Sequence, residues 1–96
     1  MAQYRLSEAA RQDLIRIYQR GYDEFGEAQA DAYFHAFFRR FDLIAEQPYL
    51  YPLVEHIRSG YRRSVCGVDS IYYRIVDGVV EIMRILGRQE PGTGLD

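Results

Sequence analysis

The stretch GYRRSVCGVDSIYYRIVDGVVEIMRIL, Gly60 to Leu86, decides the fold. β-Branched and aromatic residues dominate it, and its breaks divide it into three strands over about 60–66, 69–77 and 79–86. The sharpest break is Val76-Asp77-Gly78-Val79, because Asp-Gly between apolar runs suits the two left-handed positions of a type I′ hairpin turn. That turn predicts a register in which Val76 faces Val79, Ile75 faces Val80, Arg74 faces Glu81, Tyr73 faces Ile82, Tyr72 faces Met83 and Ile71 faces Arg84. Alternation then puts Ile71, Tyr73, Ile75, Val80 and Ile82 on one face, which reads as core. Tyr72, Arg74, Val76, Val79, Glu81 and Met83 share the other, with Arg74 and Glu81 as a cross-strand ion pair.

Working outward, residues 2–6 alternate weakly and precede Ser7, a good N-cap, so a short strand leads directly into a helix over 8–25. Its apolar arc holds Ala10, Leu14, Ile17, Tyr18, Gly21 and Phe25. Gly21 costs helix propensity but lets a second helix come close, and Gly26 ends the element. A second helix runs over 27–46 until Pro48 forbids continuation; its wide arc carries Ala30, Tyr33, Phe34, Phe37, Phe38, Phe41, Ile44 and Ala45. Residues 47–59 are too apolar and Pro-rich for a flexible linker and read as a packed strap, and the tail 87–96 has little periodicity.

Ninety-six residues, 48% hydrophobic and 27% charged, make one globular domain over 1–96. A single cysteine, Cys66, has no internal disulfide partner, and the N-terminus lacks the apolar run of a signal peptide. No run approaches the roughly 18 apolar residues of a membrane span, so the cytoplasm is the expected location. The net charge of −2 argues against nucleic-acid binding as the main role. All 12 basic residues are Arg. Residues 1–56 hold six Arg against nine acids, −3, while 57–96 hold six against five, +1.

The usual chemistry is missing. His35 and His56 have no Cys or acid at metal-ligand spacing, Gly92-Thr93-Gly94 opens no helix, and Cys66 reads as a small buried hydrophobe, so no metal, cofactor or catalytic residue is assigned. The carboxylates read as solvated helix faces, Glu81 apart. Two candidate surfaces remain. One is an aromatic partner groove of Ile15, Tyr18, Tyr22, Phe34, Phe38, Tyr49 and Tyr51; the other is a basic surface of Arg58, Arg62, Arg63, Arg74, Arg84 and Arg88. Arg84 falls on the core face at a strand end, where it serves either a structural ion pair or a functional contact.

The order strand, helix, helix, strap and three-strand meander resembles the ParE branch of the RelE/ParE toxin superfamily. The matching residues are Tyr4-Arg5-Leu6-Ser7-Glu8-Ala9-Ala10-Arg11-Gln12-Asp13-Leu14, Gly26 with Ala30 and Tyr33, Ile44-Ala45-Glu46-Gln47-Pro48, Arg58-Ser59-Gly60-Tyr61-Arg62-Arg63, Tyr72-Tyr73-Arg74 and Glu81-Ile82-Met83-Arg84-Ile85-Leu86. The resemblance implies an α+β domain: an N-terminal strand and a two-helix hairpin packed on an antiparallel sheet whose last three strands form a meander. It also implies a toxin held inactive by a ParD-like antitoxin, with DNA gyrase as a target inhibited by binding.

One departure is Gly87, where many similar chains carry His. Leu86-Gly87-Arg88-Gln89-Glu90 is instead similar to the RelE branch of ribosome-dependent mRNA endonucleases, yet the basic groups and C-terminal aromatic of that chemistry are absent: Asp69, Ser70 and Gln89 stand near their places. A non-enzymatic toxin is therefore the leading expectation. The alternatives are the endonuclease and a module that binds antitoxin but has lost toxicity.

Overall fold

The computed structural model describes residues 3–87. Ser7 shows how a strand and a helix can meet within one residue. Its backbone stays extended, its hydroxyl oxygen accepts the Ala10 N–H at 3.0 Å, and its hydroxyl donates to the Met83 carbonyl at 2.8 Å. The elements are β1 (Tyr4–Leu6), α1 (Glu8–Phe25), α2 (Glu27–Glu46), β2 (Arg62–Cys66), β3 (Asp69–Val76) and β4 (Val79–Gly87). Gly26 separates the helices at φ 93°, a value only glycine reaches without strain, and its N–H donates to the Tyr22 carbonyl.

The sheet order is β1-β4-β3-β2: β2, β3 and β4 form the antiparallel meander, and β1 adds to β4 in parallel. Several ends differ from the sequence reading. β1 begins at Tyr4 rather than residue 2, which lies outside the described residues. β2 begins at Arg62, not residue 60, because Gly60 (φ 80°) and Tyr61 close a turn in which the Tyr61 N–H donates to the Arg58 carbonyl. β3 stops at Val76, since Asp77 (φ 52°) belongs to the hairpin turn, and β4 continues to Gly87. The rest of the tail, 88–96, lies outside the described residues.

The hairpin register holds from Val76↔Val79 to Tyr73↔Ile82 and then slips by one. Tyr72 faces Arg84 and Ile71 faces Ile85, so the expected Tyr72–Met83 and Ile71–Arg84 pairs do not form. Met83 is the extra residue of a β-bulge, its carbonyl taken by the Ser7 hydroxyl. The slip has a packing reason: it seats Ile85, in place of Arg84, in the main core with Ile71, Tyr73, Val80, Ile82, Leu14, Ile17, Phe37, Phe41 and Ile44. Arg84 is thereby removed from the core face where the unbroken register put it.

The opposite face is half covered. Tyr72 and Leu86 are buried there with Val54 and Tyr61 of the strap, flanked by Ile57 and Met83. The other half carries an Arg5–Glu81–Arg74 ladder at 3.0 and 2.7 Å.

β1 protects β4 only as far as Ile82, and beyond it helix α1 takes over the exposed edge. Asp13 Oδ2 accepts the Ile85 N–H at 2.9 Å, and Arg16 Nη2 donates to the Ile85 carbonyl at 2.9 Å. Arg84 grips the same carboxylate with both forks, Nε to Oδ2 at 2.7 Å and Nη2 to Oδ1 at 3.0 Å. Asp13 is only 4% exposed, so it is not the solvated carboxylate that helical spacing implied, and Asp69, at the start of β3, is 0% exposed.

Candidate partner-binding surfaces

Five of the seven expected groove residues come together on the outer face of the helical hairpin. Tyr22, Tyr18, Phe34 and Phe38 form a row of rings with successive centroids 6.4, 5.6 and 5.0 Å apart, which Phe41, buried in the core, and Tyr4 continue inward at 5.4 and 5.3 Å. Edge-on and tilted geometry dominates, as aromatic quadrupoles favour. Ile15 lies one turn before Tyr18 and Gln19 on α1 and is 52% exposed, Tyr22 is 50% exposed, and Phe34 and Phe38 are half-buried. Tyr18 donates its hydroxyl proton to Asp31 Oδ1 at 2.7 Å, locking the two helices together, and that bond pushes its pKa up to about 12.

The concavity beside this row lies at the far end of the hairpin. It is a groove of about 600 Å³ lined by Tyr18, Gly21, Phe25, Tyr33, Phe34 and Val68 among others. Gly21 packs against Ala30 along its wall, where a Cβ would sit 3.6 Å from that residue. Phe25 and Val68, 62% and 64% exposed, form its rim.

A polar cluster fixes the groove floor. Tyr33 accepts the Val68 N–H at 3.2 Å and lies within donating distance of the Cys66 carbonyl (2.8 Å) and Asp69 Oδ2 (3.0 Å); Arg20 donates to the same Oδ2 at 2.9 Å. Burial raises the Tyr33 hydroxyl well above its ordinary pKa, with the Asp69 carboxylate adding to it. Sequence reasoning assigned Phe25 and Tyr33 to the apolar arcs and gave Val68 no role. Only Gly21 was a signal that the helices approach closely here.

Tyr49 and Tyr51 belong to a different surface, the strap along β2. The Arg62 guanidinium stacks 5.0 Å from the Tyr49 ring while its Nη1 donates to the Tyr51 carbonyl at 2.6 Å; Arg40 lies 5.8 Å from the Tyr51 ring.

The six arginines do not form one surface either. Arg62 lies on the helix-facing side of β2 with Ser64, whose hydroxyl receives Arg40 at 2.7 Å, while its neighbour Arg63 points the other way, opposite Tyr72. Arg58 stacks 5.6 Å from Tyr61. Arg74 pairs with Glu81, and Arg84 forms with Asp13 the ion pair that was one of its two readings. Arg88 lies outside the described residues.

Cys66 is buried, and that burial raises its thiol pKa, the opposite of what a nucleophile needs. His35 and His56 are exposed. Among the described residues no group of three His, Cys, Asp or Glu side chains could hold a metal, and no helix is long and apolar enough to cross a membrane.

Comparison with known proteins agrees with this geometry. Residues 4–91 match the family described as ParE toxin of type II toxin-antitoxin system, parDE. The chain is 38% identical over 87 residues to Toxin ParE1 of Caulobacter vibrioides, covering 90% of this chain and 88% of that one. It is 31% identical over 86 residues to Toxin ParE1 of Mycobacterium tuberculosis, covering 88% of each. In fold it is similar to a chain of the chromosomal ParDE system from P. aeruginosa, with a TM-score of 0.79 at 17% identity over 91% of this chain and 96% of that one. It is also similar to a chain of the RelBE2 toxin–antitoxin complex from M. tuberculosis, with a TM-score of 0.56 at 24% identity over 91% and 98%.

Proposed function

The chain belongs to the ParE toxin family of type II toxin–antitoxin systems, and on that premise we propose that a ParD-like antitoxin holds it inactive and that, once free, it acts on DNA gyrase by binding, without chemistry of its own. The observation that carries this reading is the hairpin face. A row of rings, Tyr22, Tyr18, Phe34 and Phe38, beside an apolar groove of about 600 Å³ is the shape into which an amphipathic helix lays its i, i+3, i+4 side chains. Leaving such a surface to water is costly, and a tight partner removes that cost.

Action by binding is supported by what the reactive groups are doing. The one thiol is buried with its pKa raised, and the Arg84 guanidinium is paired with Asp13. Asp69, near where the RelE-type chemistry would place a cation, is itself a buried anion held by Arg20 and Tyr33.

The test is expression of the chain alone and together with the protein of the adjacent reading frame. Growth arrest with DNA-damage signalling, relieved by co-expression, and inhibition of purified gyrase in a supercoiling assay are the expected results. Translation-dependent mRNA cleavage would replace this reading by the endonuclease. Harmless expression of a folded chain that still binds antitoxin would point to a module that has lost toxicity, and restoration of toxicity by Gly87→His would locate the loss.

A further inference from the structure

We infer that the strap around Tyr49, Leu50 and Leu53 is the surface that grips the toxin's target, separate from the hairpin groove, and that the target is a protein meeting it with an apolar pocket rimmed by carboxylates. The inference rests on the reading of the chain as a toxin that acts by binding. An irregular segment keeps large apolar side chains turned outward only when its backbone is held, and this one is. The Tyr73 hydroxyl donates to the Pro48 carbonyl (2.7 Å), Arg62 to the Tyr51 carbonyl (2.6 Å), the Arg63 N–H to the Pro52 carbonyl (3.2 Å) and the Val54 N–H to the Tyr61 carbonyl (2.8 Å). On that fixed backbone Tyr49, Leu50 and Leu53 are 70%, 54% and 47% exposed. A Tyr ring flanked by Arg has the composition of an interface centre, and the ordering cost of the backbone is met before binding.

Charge selects the partner. Residues 39–66 hold Arg39, Arg40, Arg58, Arg62 and Arg63 against Asp42, Glu46 and Glu55, +2 in a chain whose total is −2. Glu55 offers a partner little, since its carboxylate already accepts the Gly60 N–H at 2.8 Å. A nucleic acid is disfavoured because the chain's total charge is −2 and the exposed side chains it would meet on the strap are one Tyr and two Leu rather than further cations. The antitoxin is disfavoured because the apolar seat for a helix lies elsewhere, at the end of the hairpin.

The test is the double variant Tyr49→Ser/Leu53→Ser, both positions exposed. Growth arrest on expression without antitoxin, affinity for the purified antitoxin of the adjacent reading frame, melting temperature, and salt-dependent binding of a mixed-sequence single-stranded DNA are measured beside wild type. The inference expects arrest potency to fall about tenfold or more, antitoxin affinity to stay within about threefold, and Tm to be unchanged. Undiminished arrest overturns it, as does a tenfold loss of antitoxin affinity, which would assign the strap to the antitoxin. Loss of DNA binding in the variant would overturn it in favour of a nucleic-acid surface. A wild type that arrests nothing removes the toxin reading and this inference together, whereas wild-type arrest with a variant of full potency removes this inference alone.

Discussion

Asp13 stands beside Ile85 as a neighbouring strand would. Its carboxylate takes the Ile85 N–H at 2.9 Å, and Arg16, three residues along the helix, returns a donor to the Ile85 carbonyl at 2.9 Å. The last stretch of β4 therefore shows no free pairing edge at Ile85, although β1, the strand on that side, ends at Ile82. β2 is blunted in the same manner: Arg40 occupies the Val65 carbonyl, and Pro52 receives the Arg63 N–H. An antitoxin that added a strand to either edge would have to displace these bonds, so the hairpin groove is the better seat.

Asp13→Ala should cost about 2–4 kcal/mol in urea denaturation, because it orphans the Ile85 N–H and leaves Arg84 without its carboxylate. Arg84→Ala should cost less, about 1–2 kcal/mol, since Asp13 keeps Ile85 and Arg16. The double variant should fall short of the sum by about 1 kcal/mol or more, as directly bonded partners do. Additive losses would mean that the pair is not coupled.

Two glycines should respond in opposite directions. At Gly67 a Cβ would sit 2.5 Å from the Tyr33 ring on a backbone at φ 63°, so Gly67→Ala should destabilise by about 1–3 kcal/mol and loosen the groove floor. At Gly21 the added methyl would meet Ala30 at 3.6 Å, ordinary contact inside a helix, and Gly21→Ala should stabilise by about 0.5–1 kcal/mol. Thermal melts of the two variants decide both signs.

On the hairpin face, Ile15→Ala and Tyr22→Ala remove side chains that are about half exposed. Each should leave stability within about 0.5 kcal/mol. If the antitoxin lies along this face, each should weaken its binding by about 1–2 kcal/mol, read by calorimetry. Unchanged affinity for both would move the antitoxin off the row of rings.

Much of this was legible in the sequence, for reasons that can be named. Ser7, Gly26 and Pro48 punctuate the helices, and Asp77-Gly78 sets the first four pairs of the β3–β4 hairpin. The bulge at Met83 was not legible, because Ile82-Met83-Arg84-Ile85 alternates no less well with one residue skipped, and the choice is made by the Ser7 hydroxyl and by Asp13, both more than 70 residues away in sequence. The burial of Asp13 was hidden for the same reason: helical spacing records which face a residue occupies, not which sheet edge needs an acceptor. The aromatic candidates were identified by type, but their division between hairpin and strap depends on which side of the sheet each segment crosses. Local pattern carries no such information.

Alkaline pH should unfold the protein before it discharges any arginine. Tyr73 is fully buried, donates to the Pro48 carbonyl, and is pushed up to about 12 by that burial; Tyr33 is raised too, while the exposed Tyr18 contributes less because solvent screens it. The unfolded chain ionises its tyrosines near 10.0, so above that pH it sheds protons the fold retains, and stability falls as pH rises. The contribution is complete below about pH 10 and disappears toward the folded values, with a slope of about 1.4 kcal/mol per pH unit for each proton involved. Cys66, also raised by burial from 9.0, starts the decline slightly earlier. Urea midpoints should thus be flat from about pH 7 to 8 and drop steeply past 10. Tyr73→Phe should lose about 1 kcal/mol at neutral pH, from the missing Pro48 bond, but fall less steeply above pH 10. Parallel profiles for the variant and wild type would show that Tyr73 is not among the groups responsible.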